Sequence, residues 1–328
     1  MYKGDPNGSL QWYGTAASGY TNRYEKKTNT TANDWSDLIH LIDKINNTPS
    51  QNFRDSLEVV MNTQSFLELW ASNILFSNLD SYQGSGHNYY LYRDSVLQRL
   101  FHFIVWDVNE AFGNFRMSLS LTQIENLSTF YLPSPANSRP LEDKMLQNVL
   151  YKQALADLMC TYLSGDFDPD NWIFGHIDSL KIVIQPHVFA DTNSAYTNQM
   201  FTTNIDTVVS VGGGPGGGTI SGLKSFVRHR STFLWNELAA WGCLPLTTTE
   251  SEIALLKVFP NPAKEKLTVT CKGEFHVTLS DIFGRVVFHS ETTDLLEINT
   301  WNFSRGIYFV CVLPVNSRQE IVRKIVVE

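Results

Sequence analysis

The feature that most limits what this chain can become is a change of hydrophobic period near residue 246. From residue 255 onward, short apolar–polar alternations follow one another between turn residues: "KVFPNPAKEKLTVTC", "HVTLSDIFGRVVFHS", "LLEINTWNFSRGIYFVCVLP" and "QEIVRKIVVE". Alternation is cleanest in "KLTVTC" and "IYFVCV", with Asn-Pro and Phe-Gly-Arg as turn punctuation. Runs of this kind predict a small antiparallel β-sandwich. Residues 1 to about 243 read differently, as helical stripes, long polar loops and a few strands. The polar, Thr-rich "LPLTTTESEIA" between the two parts suits a tether. The reading is α+β in two domains: residues 1–245, a linker 246–254, and residues 255–328. With 328 residues, 43% of them apolar, both parts have material for a core.

Within the first part, "NTQSFLELWASNILFSN" places Phe66, Leu67, Trp70, Ile74 and Leu75 on one helical stripe, with Asn62 or Thr63 as cap. Asp80 falls just past that helix. "YYLYR" and "LFHFIVWD" read as paired strands joined by a turn around "DSVLQ", the second apolar on both faces and therefore buried. Further helices are predicted over roughly 140–163, with Pro140 in its first turn, and over roughly 169–190 and 221–240, the last closed by Gly242. The run "VGGGPGGGTISG" lacks the Gly-Lys-Ser/Thr of a phosphate loop, because Leu223 separates Gly222 from Lys224-Ser225; it reads as a mobile loop before a helix.

The net charge of −8 argues against nucleic acid as a partner, since phosphate binding relies on clustered Lys and Arg. No run of about 18 apolar residues is available to span a membrane. The opening "MYKGDPNGSLQW" has neither the basic start nor the apolar run of a signal peptide. Cys160, Cys243, Cys271 and Cys311 are too dispersed for a metal site; Cys160–Cys243 and Cys271–Cys311 are candidate disulfides, beside the alternative of four buried thiols.

Two stretches carry candidate chemistry. "LDSYQGSGHNYYLYRD" bunches Asp80, His87 and Asn88 around two glycines ahead of a strand, and "IVWDVNEAFGNF" delivers Asp107 at a strand end, followed by Asn109, Glu110 and a Phe-Gly turn. Mg²⁺ takes a few hard oxygens and shares the rest with phosphate and water. One Asp to orient a hydroxyl, with an Asn and an Asp to hold metal, are the working groups of kinase-type phosphoryl transfer. In ordinary protein kinases that Asp and Asn are about five residues apart; here Asp80 and Asn88 are eight apart. The plainer reading makes these residues turn and cap formers and His87 a structural hydrogen-bonder. Arg228, His229 and Arg230 read as a solvated helix face rather than a phosphate contact, and Tyr89, Tyr90, Tyr92, Phe101 and Phe103 as core.

"GHNYYLYRD…FHFIVWDVNEAFGNF" resembles the signature of the spore coat protein H (CotH) kinase family, H-N-Y-Y-L-Y followed by F-I-P-W-D-L-D/N-x-x-F-G. "YKGDPNGSLQWYG…YEKKTN…NDWSDLIHLI" and "GLKSFVRHRSTFL" are similar to that family's middle and end, so the likeness runs over roughly residues 1–240. It implies an atypical protein-kinase-like domain, mostly its helical C-lobe, that transfers phosphate from ATP to Ser or Thr with Mg²⁺ or Mn²⁺. By motif, Asp80 is then the catalytic acid, Asp107 the metal-binding Asp, Asn88 a nucleotide-site residue and second metal ligand, and Asn109 a variant of the second Asp. Val105 replaces the usual Pro before Trp-Asp. The strands of the nucleotide-covering lobe, and the phosphate-binding Lys, are expected upstream of "MYKGD", with Lys3 and Lys27 as distant stand-ins.

"VFPNPAKEKLTV", "VTLSDIFGRVV", "SRGIYFVCV" and "IVRKIVVE" resemble the type IX secretion sorting domain of Bacteroidetes. That likeness implies type IX machinery as partner of residues 255–328 and a secreted or outer-surface destination, with the signal peptide upstream of this chain. A non-catalytic adhesive surface protein on the same fold, and a metal-dependent hydrolase using His87, Asp80 and Asp107, are the alternatives.

Overall fold

The computed structural model describes residues 1–94, 99–194, 196–212, 218–243, 256–282, 284–315 and 321–328. The turn around "DSVLQ", the centre of the glycine run and the linker 246–254 lie outside the described residues. Contacts divide the chain into two compact units, Met1–Pro245 and Leu246–Glu328.

The first unit opens with β1 (Tyr2–Gly4), β2 (Tyr24–Lys26), α1 (Ser36–Asn47), α2 (Phe53–Glu58) and α3 (Thr63–Leu75). A hairpin follows, β3 (Tyr89–Arg93) and β4 (Phe101–Val105), then α4 (Leu121–Glu125), α5 (Pro140–Gln147) and α6 (Val149–Leu163). It ends with α7 (Ile173–Ala190), α8 (Asn198–Asn204), the short pair β5 (Val209–Ser210) and β6 (Thr219–Ile220), and α9 (Leu223–Leu238).

Four strands make one antiparallel sheet in the order β2-β1-β3-β4. Alternation turns Tyr2, Tyr89, Leu91, Phe101 and Phe103 inward onto the helices. The exposed residues correct two expectations. Tyr92 is 43% exposed rather than core, and β4 is an edge strand with Ile104 and Val105 exposed rather than a strand buried on both faces. Beneath the sheet, α3 buries its predicted stripe, and Asn62 caps it by accepting from Ser65 N at 3.0 Å. The expected continuous helix over 140–163 is two helices. Asn148 leaves helical geometry (φ −96°, ψ 116°) and its side chain accepts from Leu150 N at 3.0 Å, capping α6 afresh. A disulfide joins Cys160 on α6 to Cys243, beyond α9, with 83 residues of separation and a Cα–Cα distance of 5.6 Å.

The second unit comprises β7 (Lys257–Phe259), β8 (Lys266–Asp281), β9 (Val286–Asn299), β10 (Gly306–Pro314) and β11 (Ile321–Val327). "KLTVTC" and "HVTLSD", read as separate strands, are one 16-residue strand, β8. Its first half pairs with β7 and its second half with β10 along one edge, while β9 runs along the other. A register shift between Thr270 and Glu274 marks the bend. The result is a single antiparallel sheet curled toward a half-barrel, which corrects the expected two-sheet sandwich: a strand this long crosses what would have been both sheets. Asn261 helps close it. Its Oδ1 accepts from Val326 N at 2.9 Å and its Nδ2 donates to Lys324 O at 3.0 Å, so the side chain stands in for a strand where prolines flank it. Leu267, Val269, Phe275, Val277, Leu279, Val310 and Val312 fill the enclosed face. Cys311 lies opposite Thr278, seven residues along β8 from Cys271, too far for the second candidate bridge.

Candidate functional site

Asp80 stands five residues past the end of α3, in a loop that returns to the start of β3. The loop folds on itself: Ser85 N donates to Leu79 O and Gly86 N to Ser81 O, both at 2.9 Å. It tolerates no side chain at Gly84, where a Cβ would lie 1.9 Å from Leu79 O. This folding aims three donors at one carboxylate. Asp80 Oδ1 lies 2.5 Å from His87 Nε2 and accepts from Ser85 Oγ at 3.1 Å. Asp80 Oδ2 accepts from Asn88 Nδ2 at 2.9 Å, and that amide also donates to the Asp80 carbonyl at 3.0 Å. His87, side chain 32% exposed against 16% for Asp80, is the more open member of the pair. The structural hydrogen bond expected of His87 is therefore present, made to the candidate catalytic residue itself.

Register places the second candidate at the same end of the hairpin. Tyr89 pairs with Val105, so Asn88 and Trp106 lie one step beyond the last pair and Asp107 follows at once. Asn88 (φ 56°) and Asp107 (φ 53°) are both left-handed, a conformation that Asn and Asp enter more readily than most residues. Asp107 and Asn109 are exposed. Phe112 and Gly113 then anchor the segment. The Phe112 ring packs at 5.1 Å from Phe76 and 5.6 Å from Phe226, and a Cβ on Gly113 would lie 2.8 Å from Ile124 Cγ2. Buried Arg116 holds its far end, donating Nε to Gly113 O at 3.0 Å and Nη2 to Thr219 O; burial lowers its pKa.

Of the three residues read as one solvated basic face, Arg228 and His229 are exposed and Arg230 is not. Arg228 lies over the Phe174 ring at 4.6 Å, and His229 Nδ1 is 3.0 Å from Glu125 Oε2. Arg230 is fully buried and donates to the carbonyls of Ile74 (2.8 Å), Leu75 (3.4 Å), Glu125 (3.1 Å) and Leu127 (2.6 Å). It thus caps the carbonyl end of α3, where a cation meets the negative end of the helix dipole. Burial pushes its pKa down to about 9, against the opposing pull of Glu237 and Glu125. Residue pattern also gave no hint of Arg139, just ahead of α5, whose guanidinium donates to the carbonyls of Tyr82 and Gly84 in the Asp80 loop.

As cation ligands, Asn88 retains Oδ1, and Asp107 and Asn109 have no side-chain partner among the described residues. Among those residues no three His, Cys, Asp or Glu gather into a ready cage. This donor set suits Mg²⁺ shared with phosphate oxygens better than a metal held by protein alone. Lys3 and Lys27 are engaged elsewhere, with Asp5 (2.7 Å) and Glu25 (2.5 Å).

A helix-rich domain with a carboxylate loop ahead of a hairpin and a second carboxylate at the hairpin's end, followed by a strand-only tail, is the class these features define. The chain belongs to the CotH kinase protein family, whose model matches residues 1–234. Residues 257–328 match the secretion system C-terminal sorting domain. Over 110 residues the chain is 33% identical to the inner spore coat protein H of Bacillus subtilis (strain 168), covering 32% of this chain and 29% of that protein. Over 106 residues it is 28% identical to an endo-acting ulvan lyase of Formosa agariphila, covering 30% of this chain and 20% of that enzyme. The matches thus span less than a third of either relative. A solved structure of PorZ, a surface component of the type IX secretion system of Porphyromonas gingivalis, matches 26% of this chain and 13% of its own at 21% identity, with a TM-score of 0.23. No helix among the described residues is long and apolar enough to cross a membrane.

Proposed function

We propose that residues 1–245 form a kinase-like domain, mostly a helical C-lobe, that transfers the γ-phosphoryl group of ATP to Ser or Thr hydroxyls of secreted or surface proteins. The observation that carries this reading is the Asp80–Asn88 pair beside the hairpin end that bears Asp107. Asp107 and Asn88, with Asn109, would hold a divalent cation, which would neutralise charge on the phosphate oxygens of ATP. Asp80 orients the acceptor hydroxyl and takes its proton as that oxygen bonds to the γ-phosphorus and the bond from that phosphorus to the bridging oxygen breaks, releasing ADP. His87 and Ser85 fix one oxygen of Asp80 and Asn88 the other, so the carboxylate is placed before substrate arrives. Residues 255–328 engage the type IX machinery and direct the protein to the outer surface. The Cys160–Cys243 disulfide accords with that oxidising destination.

Calorimetry of Mg²⁺–ATP binding tests the assignment: Asp107→Ala should abolish the heat seen with the native chain, and unchanged binding would remove Asp107 from the site. One observation favours a second reading. Both oxygens of Asp80 already accept hydrogen bonds from the protein, as in a purely structural carboxylate. A non-catalytic surface protein would bind no nucleotide in the same experiment.

A further inference from the structure

The Asp80 loop has two inward carbonyls that its own main chain does not satisfy. Its internal hydrogen bonds use the carbonyls of Leu79 and Ser81, and those of Tyr82 and Gly84 accept instead from Arg139, through Nε and Nη2 respectively. The third nitrogen, Nη1, donates to Ser138 O at 2.7 Å. Arg139 is buried, at 6% exposure, and precedes Pro140, the first residue of α5. Between the two gripped carbonyls, the Gln83 amide accepts from Asn73 Nδ2 of α3 at 2.8 Å and from Ser81 Oγ at 2.9 Å. Gly86 passes so close that a Cβ there would lie 2.9 Å from Arg139 Nη2. The loop is therefore keyed to α3 through Gln83 and to α5 through Arg139. Arg139 serves the two carbonyls from separate nitrogens of one rigid planar fork, a geometry that the single-nitrogen ammonium of a Lys does not reproduce.

We infer that Arg139 is a positioning residue for phosphoryl transfer, its fork on the carbonyls of Tyr82 and Gly84 setting where the Asp80 carboxylate stands. This rests on the reading in which Asp80 orients the acceptor hydroxyl. Arg139 is buried with each of its three nitrogens on a main-chain carbonyl, so it acts through Asp80 rather than on nucleotide or acceptor. Its loss therefore displaces Asp80 and leaves the ligands at the hairpin end in place.

The test uses Arg139→Lys and Arg139→Met in the whole chain, with two readouts. Amide hydrogen exchange at Ser85 and Gly86 reports the loop, with α3 amides as internal reference. Steady-state kinetics with Mg²⁺–ATP and casein report transfer. Arg139→Lys should speed exchange at Ser85 and Gly86 by about tenfold or more while α3 stays within about twofold. It should lower kcat on the order of a hundredfold and leave KM for ATP within about threefold, because a small misplacement acts on the transition state. Unchanged exchange at Ser85 and Gly86, or α3 exchange rising in step with theirs, would overturn the inference. So would a kcat within about twofold of native. If Arg139→Met does not fold, the Lys variant decides. A native chain that transfers no phosphate refutes the kinase reading and the catalytic half of this inference with it; exchange then decides separately whether Arg139 holds the loop.

Discussion

Glu142, in the first turn of α5, has a fully buried carboxyl whose ionisation should be visible in the stability of the first unit. Burial pushes its pKa from 4.5 to about 8, with Arg139 and the Gln83 amide opposing the rise and Asp143 adding to it. Tyr82 and Tyr131 are the other titratable groups that face it. Between those two pKa values the unfolded chain has released the proton and the folded chain still holds it. Folding therefore takes up a proton, and stability falls as pH rises until the folded group ionises near pH 8. Three and a half pH units at about 1.4 kcal/mol each give a loss of roughly 4–5 kcal/mol. Glu142→Gln keeps the shape and carries no such proton. The variant should match the native chain near pH 4.5 and exceed it progressively, by up to that amount, at pH 8 to 9. Urea unfolding at several pH values, followed by tryptophan fluorescence, reads this directly, because every tryptophan except Trp301 lies in residues 1–245. Parallel profiles for the two proteins would refute the argument and show that water or a cation reaches Glu142.

Arg230→Met leaves four carbonyls around α3 and α4 without their donor and should cost about 3–5 kcal/mol in the same urea assay; a loss under about 1 kcal/mol would mean water replaces the guanidinium. Replacing Cys160 and Cys243 by Ser opens a loop with 83 residues of separation and should lower stability by about 4–5 kcal/mol. Native chain treated with reductant should then melt with the variant, and a reductant-insensitive midpoint would contradict the bridge. Gly84→Ala drives a methyl toward Leu79 O and should cost about 1–3 kcal/mol while loosening the Asp80 loop, read by exchange at Ser85; native-like protection there would show that the loop has room.

What sequence made legible was whatever local pattern encodes. The α3 stripe, its Asn62 cap and the hairpin follow from spacing and from single-residue chemistry, and "GHN" before the aromatic strand marked the loop that reaches Asp80. The misreadings share a cause, that they turn on partners distant in sequence. Arg230 looks like one of three solvated cations until Ile74, Leu75 and Leu127 surround it. Arg139 has no pattern at all, because its partners are carbonyls more than fifty residues earlier. Tyr92 has the same aromatic character as Tyr89, and only the alternation of a four-stranded sheet with one covered face decides which of them is inside. In the second unit, turn-like residues within "TCKGEFH" mark a bulge inside one long strand rather than a boundary between two.

The most direct test of the central claim is transfer itself. The native chain and Asp80→Asn are incubated with Mg²⁺ and γ-labelled ATP beside casein, and phosphorylated residues are mapped by mass spectrometry. The account predicts phosphoserine or phosphothreonine from the native chain and none from Asp80→Asn, with Mg²⁺–ATP binding by the variant unchanged. No transfer by the native chain, or equal transfer by both, would contradict it.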